Sequence, residues 1–251
     1  MPNVSDAAIQ PTSYRVEGDL VVDEITGLIW QRQVDPQTRD TAEAIAYCEG
    51  LVLEERDDWR LPGRIELVSL MQPGRSPAID GDAFPGTPAD YFRASTYASS
   101  GDDRSWSVYF GAALVIVGSA ATNTTYARCV TGAVVALDPQ FQIMETVVLD
   151  RGTGLEWRRD VQVASSRTDA EDICSAIDSS PFRLPTVKEL LTIVDETRAN
   201  PAIDEATFIA ADLLTFWTAT EAESVVWIVD FSEGTTMVAE VPGDHAVRCV
   251  R

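Results

Sequence analysis

One ordered set of residues occurs twice along this chain, and that repetition bounds the fold more tightly than any property of its composition. Asp23-Glu24-Ile25-Thr26-Gly27-Leu28-Ile29-Trp30 matches Asp150-Arg151-Gly152-Thr153-Gly154-Leu155-Glu156-Trp157. Arg60-Leu61-Pro62 with Glu66-Leu67 matches Arg183-Leu184-Pro185 with Glu189-Leu190. Pro77-Ala78-Ile79-Asp80 with Phe84 matches Pro201-Ala202-Ile203-Asp204 with Phe208. Trp106 to Phe110 matches Trp227 to Phe231, and Arg128-Cys129-Val130 matches Arg248-Cys249-Val250. The offset falls from 127 at Asp23/Asp150 to 123 at Arg60/Arg183 and 120 at Arg128/Arg248, so the second copy is slightly shorter. A period of this length exceeds that of a solenoid repeat and indicates two tandem domains of one fold. We place a flexible lead at residues 1–13, domain 1 at 14–133 and domain 2 at 138–251. A short linker carrying Pro139 limits motion between them.

Each copy reads as α+β. Leu20-Val21-Val22 and Leu28-Ile29-Trp30 flank an Asp-x-x-Thr-Gly turn, a hairpin signal. Apolar positions on overlapping turns predict a helix over 41–51, with a counterpart at 168–177. A second helix follows each Arg-Leu-Pro. Thr186 and Glu189 form a capping box for the second of these, and Gly63 gives the first a weaker start. Irregular stretches over 72–96 and 195–218 lead into alternating strands at 106–110 and 227–231. A last strand carries Arg-Cys-Val.

The four cysteines sit two per copy at equivalent places. Four cysteines allow three connectivities. The repeat selects Cys48–Cys129 and Cys174–Cys249, one bridge per domain. Metal ligation is the weaker alternative, because no Cys-x-x-Cys occurs and the sole histidine, His245, has no repeat partner. Disulfides imply an oxidising compartment, so the protein is expected outside the cytoplasm with its signal peptide removed.

Charge narrows the partners. Forty acidic residues against 19 basic ones give a net charge of −21. Such a chain repels phosphate backbones, which argues against nucleic acid, and it is repelled by anionic membrane surfaces. No apolar run approaches the ~18 residues of a membrane span.

Together the landmarks resemble the Lcl C-terminal domain family, a bacterial family named after a collagen-like surface adhesin. Its signature is Asp-x-x-Thr-Gly-Leu-x-Trp, a helix with Cys, Trp-Arg-Leu-Pro-x-x-x-Glu-Leu, Pro-x-Ile-Asp, Trp-x-Val-x-Phe and a closing Val-Arg-Cys-Val. Trp59-Arg60-Leu61-Pro62 is complete here, whereas the second copy has Phe182 in place of that tryptophan. Domain 1 closes with Ala127 where domain 2 has Val247. The resemblance covers both copies. It implies a C-type-lectin-like fold with two helices, a small antiparallel sheet and long loops. It also implies a disulfide from first helix to last strand, adjacent domain termini, and a ligand site in the long loops. Family members occur on bacterial surfaces and some bind glycosaminoglycans. Sulfated polysaccharides need basic patches, so that specificity is not carried over to a chain of this charge.

Catalysis has little material, since His245 is alone and paired cysteines leave no thiol. Calcium is the cofactor the acidic loops would take, at Asp80/Asp82, Asp102/Asp103, Asp204/Glu205 or Glu221/Glu223. Yet the Glu-Pro-Asn and Trp-Asn-Asp motifs of calcium-dependent sugar-binding lectins are missing, and only three asparagines occur. Solvated loops without a cofactor are the expectation. Trp30/Trp157 and Trp106/Trp227 read as core anchors, and at least one of the repeated arginines is expected in a buried ion pair or on loop carbonyls. The aromatics that do not repeat suit stacking on sugar faces or contact with a protein. We place Phe216 and Trp217 opposite Tyr91 and Phe92. The candidate ligand residues are Tyr91, Tyr97, Asp102, Asp103, Arg104, Trp217, Glu221 and Glu223. The expected function is a non-enzymatic exported adhesion module for a glycan or surface protein. The alternative is a self-associating subunit of a surface assembly, with a homo-oligomer as its partner.

Overall fold

The computed structural model describes residues 12–99, 103–132, 140–177, 181–209, 212–223, 225–239 and 243–251. Most of the lead and the linker with Pro139 lie outside them. The chain divides into two compact units, the first reaching Val135 and the second running from Ala136 to Arg251.

The Asp-x-x-Thr-Gly segment makes its hairpin by a mechanism visible in both copies. Asp23 accepts the amides of Ile25 and Thr26 on its side chain, and its carbonyl accepts Gly27 N–H at 2.8 Å. Gly27 then takes a positive φ of 74°, which side chains resist, and Thr26 accepts Leu28 N–H. Asp150, Thr153 and Gly154 (φ 78°) repeat this. The turn joins β2 (Leu20–Asp23) to β3 (Ile29–Gln31), and β1 (Tyr14–Glu17) pairs with β2.

In the first unit α1 (Thr41–Glu49) and α2 (Arg64–Ser69) follow, then β4 (Tyr91–Tyr97), β5 (Arg104–Tyr109), β6 (Leu114–Ser119) and β7 (Val130–Thr131). Two sheets result, with orders β1-β2-β3-β7 and β4-β5-β6. In the second unit β8 (Phe141–Met144), β9 (Val147–Asp150) and β10 (Glu156–Arg158) form one sheet. After β11 (Gln162–Ala164) come α3 (Arg167–Ser175) and α4 (Val187–Leu191). Then β12 (Thr215–Ala222), β13 (Val225–Asp230), β14 (Thr235–Val238) and β15 (His245–Val247) complete a five-stranded sheet of order β11-β15-β12-β13-β14.

Helix starts follow the sequence. Thr186 and Glu189 satisfy each other's amides, whereas Gly63 only donates its N–H to Glu66 at 2.7 Å. Each Glu also takes a two-pronged bond from the arginine before it. Arg60 reaches Glu66 at 2.6 and 2.7 Å, and Arg183 reaches Glu189 at 2.7 and 2.9 Å. That geometry fixes the Arg-Leu-Pro segment to the helix it precedes.

Cys48 bonds Cys129 and Cys174 bonds Cys249, so each bridge ties the first helix of a unit to its closing segment. All four cysteines are buried. The expectation of one last strand through Arg-Cys-Val needs correction. Strand β7 begins after Cys129, and β15 ends before Arg248. Cys129 N–H bonds the Gln31 side chain rather than a strand carbonyl, which interrupts the ladder there.

The arginines of that segment are interior. Arg128 donates to the carbonyls of Gln31 and Arg32 and to the Thr87 hydroxyl. Arg248 donates to the carbonyls of Arg158, Arg159 and Ile209. Each guanidinium also lies over two phenylalanines, Phe84 and Phe92 or Phe208 and Phe216. Burial pushes both guanidinium pKa values down to about 9, which leaves them charged at neutral pH. Tyr14 and Phe141 close the stacks edge-on against Phe84 and Phe208, each at 5.2 Å. Burial holds the Tyr14 phenol well above its usual range. Trp30, Trp106, Trp157 and Trp227 are buried, as expected of core anchors.

Candidate functional site

The frame is duplicated, so the informative surfaces are those where the copies differ. The expectation of irregular structure up to residues 96 and 218 is corrected here: Tyr91–Tyr97 and Thr215–Ala222 are strands. Register corrects the matching of aromatics too. Phe92 faces Val108 and Phe216 faces Val229, so Phe216 corresponds to Phe92 and Trp217 to Arg93. Both members of the second pair are fully buried.

Trp217 is therefore not a ligand platform. It is 0% exposed, donates its indole N–H to the Ala164 carbonyl at 2.9 Å, and meets the His245 ring edge-on at 4.6 Å. In domain 1 the same place holds Arg93, bonded to Thr125, Ser105 and the Asn123 carbonyl. Burial lowers the Arg93 pKa, with Asp40 and Tyr97 opposing that shift. Thr125 and His245 occupy matching positions, three residues before Arg128 and Arg248. Thus an arginine–threonine hydrogen bond in one copy is replaced by an indole–imidazole contact in the other.

The described candidates of domain 1 divide between two ends of the β4-β5 hairpin. Tyr97 (49% exposed), Asp103 and Arg104 gather at its turn end, where Tyr97 faces Ser105 and Ala98 N–H bonds the Arg104 carbonyl at 2.8 Å. Asp103 is exposed, with a positive φ of 49°. Asp102 lies outside the described residues. Tyr91 lies six residues from Tyr97 along β4, about 20 Å away at strand rise. In the second unit Glu221 is ion-paired to Arg167 at 2.9 Å, and Glu223 is an exposed turn residue with φ 55°. Among the described residues no group of three or more His, Cys, Asp or Glu is disposed to hold a metal ion.

Tyr91 has a partner that the sequence reading passed over. It stands directly opposite Tyr109 on β5, with ring centroids 4.5 Å apart and planes at 28°. Tyr91 is 36% exposed and Tyr109 is half-buried. Asp90 fixes the start of this strand by accepting Tyr91 N–H on its carboxylate and Phe110 N–H on its carbonyl. Phe92, the next residue along β4, is fully buried and stacks on Tyr126 at 5.5 Å. Domain 2 has no aromatic pair at the matching positions. There Thr215 stands opposite Asp230; Thr215 bonds His245 Nδ1 at 2.8 Å, and Asp230 accepts Ser232 N–H at 2.8 Å. Both residues are committed to the interior or the turn. The signal for Tyr109 was present in the aligned segments Trp106–Phe110 and Trp227–Phe231, where tyrosine stands against aspartate.

The structure thus defines a class: a tandem pair of small α+β domains, each closed by a disulfide and pinned by a buried arginine. Residues 19–131 and 146–251 both match the Lcl C-terminal domain, and the chain belongs to that family. No curated protein matches the chain.

Proposed function

We propose that this protein is an exported, non-enzymatic adhesion module of two C-type-lectin-like domains, and that domain 1 holds a glycan against Tyr91 and Tyr109. The observation that carries this reading is the exposed, stacked tyrosine pair present in one copy only. Structural devices of this fold recur in both units, as the arginine stacks and hairpin turns do. The core position held by Arg93 and Trp217 also differs between the copies but is fully buried, whereas the tyrosine pair that does not recur reaches solvent. Aromatic faces with polar rims suit sugar rings, whose C–H faces stack while hydroxyls find the phenol oxygens.

Two further observations support the rest of the reading. Both disulfides are of the kind that persists in oxidising compartments. Nucleophile–base chemistry lacks material, because no cysteine is free and His245 is engaged with Thr215 and Trp217. The alternative of a self-associating surface subunit draws on Met237 and Val238, exposed on the terminal strand β14.

A glycan array tests the proposal. Binding by the intact protein is expected to disappear in Tyr91→Ala/Tyr109→Ala and to persist in Thr215→Ala/Asp230→Ala, which alters the matching positions of domain 2. Equal binding by both variants overturns the assignment. Concentration-dependent oligomers in light scattering, without glycan binding, favour the assembly subunit.

A further inference from the structure

We infer that the Tyr91–Tyr109 platform takes an uncharged sugar ring rather than an acidic one, and that Gly111 is the residue that positions it. This rests on the reading of the tyrosine pair as the glycan site.

The argument for Gly111 comes from the turn after β5. In domain 2 Asp230 holds the matching turn, accepting Ser232 N–H on its side chain and Gly234 N–H on its carbonyl. Domain 1 has Tyr109 at that position and Gly111 where domain 2 has Ser232. A Cβ at residue 111 would collide with Cζ and the hydroxyl oxygen of Tyr109. The ring therefore lies across the space that a side chain at 111 would fill, while stacked on Tyr91. Gly111 is not among the positive-φ residues, so its backbone does not demand glycine. A side chain at 111 would have to displace the ring.

Charge sets the sugar class. The chain carries −21, and the residue leading into the platform is the exposed carboxylate of Asp90. The arginine two residues along β4, Arg93, turns its donors inward to Ser105, Thr125 and Asn123. Arg104 lies at the far end of the hairpin. With Arg93 turned inward and Arg104 at the far end, a sulfate or carboxylate on the ligand would meet the Asp90 carboxylate and the net negative charge. A neutral ring meets two phenol oxygens and an aromatic face.

The test is calorimetric titration of the full chain in about 0.15 M salt, where surface repulsion beyond ~8 Å is screened. The probes are cellohexaose, chitohexaose and mannohexaose against a heparin hexasaccharide and hexagalacturonate. We expect binding of at least one neutral probe and none of the acidic ones. Gly111→Ala is expected to weaken that binding roughly 3- to 10-fold, the worth of a displaced aromatic contact, with the thermal unfolding profile retained. A second variant, Tyr109→Asp/Gly111→Ser, copies the turn of domain 2 and is expected to abolish binding while keeping the turn held. Binding of an acidic probe that depends on Tyr91 and Tyr109 overturns the sugar class and leaves the site intact. Neutral binding unchanged by Gly111→Ala overturns the role of Gly111. Absence of binding to every probe, or binding indifferent to both tyrosines, overturns the site itself.

Discussion

A carboxylate can be buried in this fold only because its neighbours saturate it. Glu189 is fully buried and takes bonds from both terminal nitrogens of Arg183 and from the amide and hydroxyl of Thr186. Glu66 has the Arg60 pair and the Gly63 amide, but no capping hydroxyl. Arg183→Ala therefore strands a buried charge, and a loss of about 3–5 kcal/mol is expected in denaturant unfolding. Arg60→Ala should lose clearly less, because the Arg60 side chain is 39% exposed and water can replace it. Equal losses would mean that burial of the glutamate does not set the scale. The same contrast shows what the residues disclosed. The capping box at Thr186 is written in four adjacent letters. The depth of Glu189 is not, because it depends on strands that arrive from elsewhere in the chain.

At the scale of elements, β12 and β15 are joined through an imidazole where domain 1 has a hydroxyl. His245 has Thr215 on one nitrogen, Trp217 against its ring and Asp244 beside it. Desolvation lowers its pKa more than Asp244 raises it. The folded state then binds fewer protons than the unfolded chain, so stability rises with pH in this range. The contribution is complete above the unfolded imidazole value of about 6.5 and is lost as pH falls through the lower folded value. His245→Gln should flatten the pH dependence of the melting temperature between about pH 7.5 and 5.5. An unchanged slope would show that His245 carries no part of it. Hairpin turns, helix starts and disulfide pairing were legible in the sequence, because each is a local motif or a matter of counting. Strands β4 and β12 were not, since Phe92, Arg93 and Ala94 are buried in succession and show no alternation. Without that strand the sequence pairs Trp217 with Phe92 instead of Arg93, so a core indole reads as a surface one. Tyr91 was identified as a candidate, but its partner Tyr109 became visible only when strand register placed the two opposite each other.

The whole molecule carries −21 on 251 residues, enough for self-repulsion to oppose the compact state. Raising sodium chloride from about 0.01 to 1 M shortens the screening length from roughly 30 to 3 Å, and the melting temperature should rise across that span. Sodium gluconate at equal ionic strength should act alike if screening is the cause. A rise produced by millimolar calcium alone would point to a specific cation site in the acidic loops. The disulfides act at the same scale. Cys48 and Cys129 are 81 residues apart, and the segment between them contains α2, β4, β5 and both platform tyrosines. A protease that cuts once inside this span does not release a fragment, because the pieces stay covalently linked through the bridge. The nicked protein would run as one band until reduced. A chain cut once within this span would thereby keep Tyr91 and Tyr109 attached to the rest of the molecule.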